Sequence, residues 1–276
     1  MIIRVPDTLL NVTNSEKYNV SIRLWPDGLS FSGYIPSEKD SFFSETVSLD
    51  PEVSLVQSLK DIFFENACLS YAYNALQVIS VSDKYTLVPD SVFSEKDKNQ
   101  LFSYCFPVDK DSKVLAQPLT DFYSSLLFCM DNETYEFMVR SLINPHFIHF
   151  LSPMLVDWRK KSLGCYPKQI YIVIQDTMLH IVCFEQGELL FLNSFGYETG
   201  NDIIYFIMYV CKQLSVNQLE DPVFFYGDKA ICRNVLPVIK NYMEQVDFVT
   251  PKIRKYQVAV DQDLFMDIVT WVECGL

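Results

Sequence analysis

This chain has no long apolar run, no stripe of basic residues, no paired cysteines and no glycine motif of the common nucleotide-binding or hydrolase types. Each of these gaps removes a class of function. The longest apolar run, Ile203 to Cys211, is far below the ~20 residues a membrane-spanning helix needs, so no membrane partner is expected. The densest basic cluster is Arg159-Lys160-Lys161, in a chain of 22 Lys and Arg against 35 Asp and Glu with a formal net charge of -13. That balance repels a phosphate backbone, and no nucleic-acid partner is expected. Eight cysteines (68, 105, 129, 165, 183, 211, 232 and 274) lie scattered without a C-x-x-C pair. They read as buried, reduced thiols rather than disulfides or a metal site. Neither a G-x-S-x-G elbow nor a G-x-x-x-x-G-K-S/T loop occurs. Met1 to Asn11, interrupted by Arg4, Pro6 and Asp7, is not expected to form a signal peptide, and the expected compartment is the cytoplasm.

What is present is one order of elements, run through twice. Tyr18, Val20, Ile22 and Leu24 alternate with polar residues as a half-buried strand. Pro26-Asp27-Gly28 turns the chain, with Gly28 expected to supply a positive φ. Leu29 to Ile35 returns, and Phe42 to Leu49 is a third strand. Asp50-Pro51 reads as a helix start, followed by Leu55, Val56, Leu59, Ile62 and Phe63 on one apolar face. Leu76 to Val81 is a fourth strand with Tyr85 to Val88 pairing beside it. A short helix runs from Ser94 to about Tyr104. Leu115 to Leu119 is a strand, and Phe122 to Cys129 a strand or a helix. Asp131-Asn132 caps a helix, and Pro145 seeds another carrying Ile148, Leu151, Leu155 and Trp158.

The order then returns. Ile170 to Ile174, the turn Gln175-Asp176-Thr177 and Leu179 to Phe184 form a hairpin, with Leu189 to Phe195 as third strand. Asn201 caps a helix with Ile203, Ile207 and Val210 inward. Val223 to Tyr226 is a buried strand ending at Gly227-Asp228, before a helix from Ala230 to Glu244, a strand near Phe248 and a closing helix from Asp261 to Glu273. The expected class is α/β, with residues 1–130 a first lobe, 131–168 connecting helices and 169–276 a second lobe.

This order resembles the two-lobed, ribonuclease H-like duplication of actin-like proteins and sugar kinases, with mixed five-stranded sheets flanked by helices. It is most similar to a family of uncharacterised bacterial proteins described as having an actin-like ATPase fold. The resemblance implies two hairpin turns that clasp phosphate and metal, each with an Asp, then a Gly beside a small hydroxyl residue. It also implies a glycine pair after the fourth strand of the second lobe, where adenosine packs. Backbone N–H groups must approach phosphate closely there, and a side chain on the turn prevents it. In this chain the first turn is Trp25-Pro26-Asp27-Gly28-Leu29, with Pro26 where Asp belongs and Leu29 where the hydroxyl belongs. The second is Gln175-Asp176-Thr177-Met178, without glycine, and Tyr226-Gly227-Asp228 keeps one glycine of the pair.

Asp27, Gly28, Asp176, Thr177, Gly227 and Asp228 are therefore the candidate ligand-binding residues, with ordinary turns as the competing reading. No catalytic residue is expected. His146 and His149, three apart, and His180 on a strand read as structural or surface histidines, so no metal site is expected. The expected function is a non-catalytic binding or scaffold protein with another protein as partner and no cofactor. The alternative is a divergent ATPase or sugar-kinase-like phosphotransferase using Mg-ATP, in which Asp176 holds Mg²⁺ through water and Gly227 lets adenine pack.

Overall fold

The computed structural model describes residues 3–256 and 264–275. It divides into two compact units. Of the described residues, the first holds 3–152, 253–256 and 271–275, and the second holds 153–252 and 264–270. Residues 131–152 thus belong to the first unit and 153–168 to the second, where the sequence suggested a separate connector of helices.

In the first unit, β1 (Asn19–Trp25), β2 (Gly28–Ile35) and β3 (Glu38–Ser48) form an antiparallel meander. β1 also pairs in parallel with β4 (Ala75–Ser80). On one face Val20, Ile22 and Leu24 of β1 meet Leu59 and Ile62 of α1 (Leu55–Glu65) and Met138 of α3 (Asn132–Ser141). Burying each such side chain contributes ~1.5–3 kcal/mol. The strand is not half-buried as expected, because Ser21 and Arg23 on its other face are buried too. Such two-sided burial belongs to sheets covered on both faces.

α1 begins later than Asp50-Pro51 suggested. Asp50 instead closes a separate turn, its carboxylate accepting from Glu52 N–H at 3.0 Å. The helix cap is Ser54, whose hydroxyl accepts from Gln57 N–H at 3.4 Å.

Between β4 and α3 lies a second, three-stranded sheet in the order β5-β7-β6: β5 (Tyr85–Pro89), β6 (Ser112–Leu119) and β7 (Ser124–Asp131), with α2 (Lys98–Ser103) against it. β5 does not pair with β4, because both edges of β4 are occupied. β1 takes one, and β8 (His146–His149) runs parallel on the other. β8 occupies residues expected in a helix seeded by Pro145. Ile148 does keep helical spacing to Leu151 and Leu155. Extending those four residues, however, supplies backbone partners to the open edge of β4, and α4 (Leu151–Ser162) starts only afterwards.

The second unit repeats the plan. β9 (Gln169–Gln175), β10 (Met178–Glu185) and β11 (Glu188–Gly196) are antiparallel, and β12 (Val223–Gly227) and β13 (Val246–Phe248) are parallel additions. The strand orders β3-β2-β1-β4-β8 and β11-β10-β9-β12-β13 are the same arrangement twice. Ile170, Ile172 and Ile174 pack with Ile203 and Ile207 of α5 (Gly200–Gln213) and Val235 of α6 (Lys229–Ile239). On the opposite face Trp158 of α4 stacks on Tyr171 with ring centroids 4.5 Å apart.

α5 is capped by Thr199, not Asn201. Thr199 and Asp202 form a reciprocal capping box that satisfies two helix-end donors at once. The closing helix α7 (Met266–Cys274) starts after the sequence expectation, whose first three residues, 261–263, lie outside the described residues. α6 ends at Ile239, short of Glu244.

Candidate functional site

The two hairpin turns are alike in length and different in chemistry. In the first unit β1 ends at Trp25 and β2 starts at Gly28, which pair across a two-residue loop, Pro26-Asp27. Gly28 does not adopt a positive φ, contrary to expectation. It is glycine for space: a Cβ there would lie 2.0 Å from the Trp25 indole, which folds over the bare α-carbon. The Arg23 guanidinium carbon lies 5.0 Å from the Trp25 ring centroid. Asp27 is exposed, and its carbonyl accepts from Leu49 N–H at 2.8 Å.

In the second unit the loop is Asp176-Thr177, with Asp176 left-handed at φ 50°. An aspartate tolerates this conformation better than most residues. Both carbonyls of the loop are engaged by one residue. Tyr197 donates its hydroxyl to Asp176 O at 2.5 Å and its N–H to Thr177 O at 3.1 Å.

Gly227 ends β12 opposite Ile174 with φ 100°, and a Cβ there would meet the Ile174 carbonyl oxygen at 1.8 Å. Asp228 N–H donates to that same carbonyl at 3.0 Å. The Asp228 carboxylate caps α6, accepting from Ala230 N–H at 2.7 Å and Ile231 N–H at 2.9 Å.

Asp176, Thr177, Gly227 and Asp228 therefore converge at the carboxyl ends of β9 and β12, and Asp27 and Gly28 share the first unit's hairpin. Burial raises the Tyr197 phenol, and the carboxylates of Asp228 and Asp176 raise it further. Sequence reasoning missed Tyr197. A tyrosine between the third strand and a Thr-x-x-Asp cap was the available signal.

Two of the three histidines, His149 and His180, are buried and hydrogen-bonded. His149 is fully buried in β8. Its Nδ1 accepts from Leu151 N–H at 3.4 Å and its Nε2 lies 2.8 Å from Ser82 O, a pair of contacts that defines the neutral Nε2–H tautomer. Burial pushes its pKa down to about 4. The ring packs against Tyr85 and Phe128 of the small sheet at 4.7 and 5.5 Å. His180 is buried with Nδ1 2.6 Å from Ser194 Oγ, and His146 is exposed. Among the described residues no group of three or more His, Cys, Asp or Glu is placed to hold a metal ion.

All eight cysteines are free thiols, but only Cys183, Cys211 and Cys232 are buried as expected; Cys68, Cys129, Cys165 and Cys274 are partly exposed and Cys105 is exposed. Burial pushes Cys183 and Cys232 up to about 12 and Cys211 up to about 11, so none of these three is an activated nucleophile. No helix among the described residues is long and apolar enough to cross a membrane.

The first unit also contains a cleft of about 320 Å³ at the carboxyl ends of the parallel strands β1 and β4. Leu24, Trp25, Leu55 and Val81 supply apolar wall, and Ser80, Asp83, Asp131 and Thr134 supply polar groups.

No protein of curated function matches the chain. Its structure is similar to the crystal structure of a Bacteroides thetaiotaomicron protein with actin-like ATPase fold and unknown function. The two are 28% identical with a TM-score of 0.84, and the match covers 96% of this chain and 99% of that one. Far more distant likenesses include the PilM–PilN type IV pilus biogenesis complex (9% identity, TM-score 0.48, 84% of this chain and 88% of that one). Another is the activator of the 2-hydroxyisocaproyl-CoA dehydratase from Clostridium difficile with bound ADPNP (8%, 0.41, 93% and 92%). Residues 7–246 match the family described as protein of unknown function (DUF3822). The chain thus belongs to that family and has the actin-like ATPase fold.

Proposed function

We propose that this protein is a non-catalytic binding or scaffold protein of the cytoplasm, an actin-like frame whose partner is another protein. The observation that carries the reading is the Trp25 indole seated on Gly28. A phosphate-gripping turn needs its glycine bare so that backbone donors can reach the anion. Here that bare face is filled by the chain's own ring, and Pro26 beside it has no N–H to offer. The second unit supports the same reading. One oxygen of the Asp228 carboxylate is committed to the α6 N-terminus, and the open side of Gly227 is taken up by the Ile174 carbonyl.

A protein partner suits the surface. Tyr205 and Tyr209, one turn apart on α5, are 62% and 47% exposed with rings stacked 6.1 Å apart, and tyrosines are favoured interface anchors. The test is thermal unfolding with Mg-ATP. A ligand bound only by the native state raises the melting temperature, and the expected shift at millimolar Mg-ATP is nil. Stabilisation accompanied by hydrolysis would overturn the proposal.

A second reading, a divergent ATPase or phosphotransferase, is favoured by one observation: Asp176 follows the end of β9 and Asp228 the end of the neighbouring β12, with Asp228 N–H on the Ile174 carbonyl, so two aspartates stand at one corner of the second unit. In that reading Asp176 holds Mg²⁺ through water, and Asp176→Ala abolishes turnover.

A further inference from the structure

We propose that the cleft at the carboxyl ends of β1 and β4 binds a small molecule with an ammonium head on an apolar body. The proposal does not rest on the function proposed above, although Trp25 is common to both: here its ring is apolar wall, and its seat on Gly28 is not used. Crevices at the carboxyl ends of parallel strands are favoured ligand positions in α/β folds, and about 320 Å³ matches a ligand of modest size.

The lining sets the chemistry. Leu24, Trp25 and Leu55 give an apolar floor and wall, and the charged side chains that line it, Asp83 and Asp131, are both carboxylates. Asp83 stands exposed at its rim. Asp131 caps α3 through one oxygen, which accepts from Thr134 N–H at 2.7 Å, leaving its second oxygen for a ligand donor. No Lys, Arg or His lines the cleft. A phosphate or carboxylate ligand would therefore face two carboxylates in the lining, the nearest cations being Lys84, which acts on the lining Cys129, and Arg23, held over the Trp25 ring; an ammonium gains from both carboxylates. Thr134 adds a second signal. It lines the cleft, is 1% exposed, and its hydroxyl is buried without a hydrogen-bond partner. Such an orphan costs ~1–3 kcal/mol in a native fold.

Benzylamine is the probe, with benzyl alcohol as neutral control and benzoate and phenyl phosphate as anionic controls. The readouts are the melting temperature and the Trp25 indole N–H resonance of the whole protein, the latter assigned with Trp25→Phe. Saturable binding of benzylamine at millimolar concentration is expected, with no response to either anion. The double variant Asp83→Asn/Asp131→Asn removes both charges and keeps the cap, because Asn caps as well as Asp. It should weaken benzylamine about tenfold. Leu55→Trp fills the cleft and should abolish binding altogether. Absence of saturable benzylamine binding, an equal response to benzoate or phenyl phosphate, or undiminished binding in the folded double variant each overturns the proposal. Mg-ATP stabilisation of the wild type, tested separately, bears only on the function proposed above.

Discussion

Two glycines with the same apparent role are required for different reasons. Gly227 has a positive φ and a carbonyl oxygen 1.8 Å from where a Cβ would stand. That oxygen is backbone, so nothing swings away. Gly227→Ala is expected to cost about 3 kcal/mol in urea unfolding, and a loss under about 1 kcal/mol would contradict the packing described. At Gly28 the obstacle is the Trp25 side chain, which is able to rotate. Gly28→Ala should cost about 1 kcal/mol alone and almost nothing in a Trp25→Ala background. Such a coupling is readable from a double-mutant cycle; additive losses would show that the ring does not police this glycine.

His149 makes a third prediction at this scale. Its folded pKa of about 4 lies below the unfolded value near 6.5. Below pH 6.5 the unfolded chain therefore takes up the proton first, and stability falls as pH drops from there toward 4. The loss by pH 4.5 is about 2 to 3 kcal/mol. The measurement is the difference in pH dependence between wild type and His149→Gln, since carboxylates titrate in both. Identical profiles would mean that the ring is not held neutral.

At the scale of elements, helix starts were the least legible feature. Asp50-Pro51 and Asn201 have the right composition for caps, yet Ser54 and Thr199 do the work. The reason lies three residues on, since a cap counts only if its oxygen meets the N–H of the second or third helical residue. Thr199 does so, and Asp202 returns the bond to it. Thr199→Ala should therefore destabilise by about 1 kcal/mol and Asn201→Ala by less than about 0.5 kcal/mol; thermal denaturation of the two variants would reverse the assignment if the order came out opposite. Strand pairing was equally hidden. Nothing within Tyr85 to Val88 says that β4 already has two neighbours, and the partner of β5, β7, lies some forty residues further along the chain.

At the scale of the whole molecule, the repeated plan is what joins the chain to its fold family. The five-strand order recurs in both units with the same senses of pairing, though the first unit interrupts it with the sheet β5-β7-β6. The nil response to Mg-ATP expected above belongs here. It follows from the chemistry at both hairpins, not from the fold, which is compatible with nucleotide binding and with its loss.

Periodicity, turn residues and charge balance were sufficient, read as sequence, for the α/β class, the duplication, both hairpins, the free thiols and the departures from the phosphate-clasping pattern. Each of those is a local property, written within a few residues of itself. Tertiary structure alone decided that Trp25 lies on Gly28, that one oxygen of Asp228 caps α6, that His146–His149 is a strand and that a cleft opens at the carboxyl ends of β1 and β4. These depend on which backbone edges and oxygens are already occupied by segments distant in the chain, and one-dimensional spacing does not encode that occupancy.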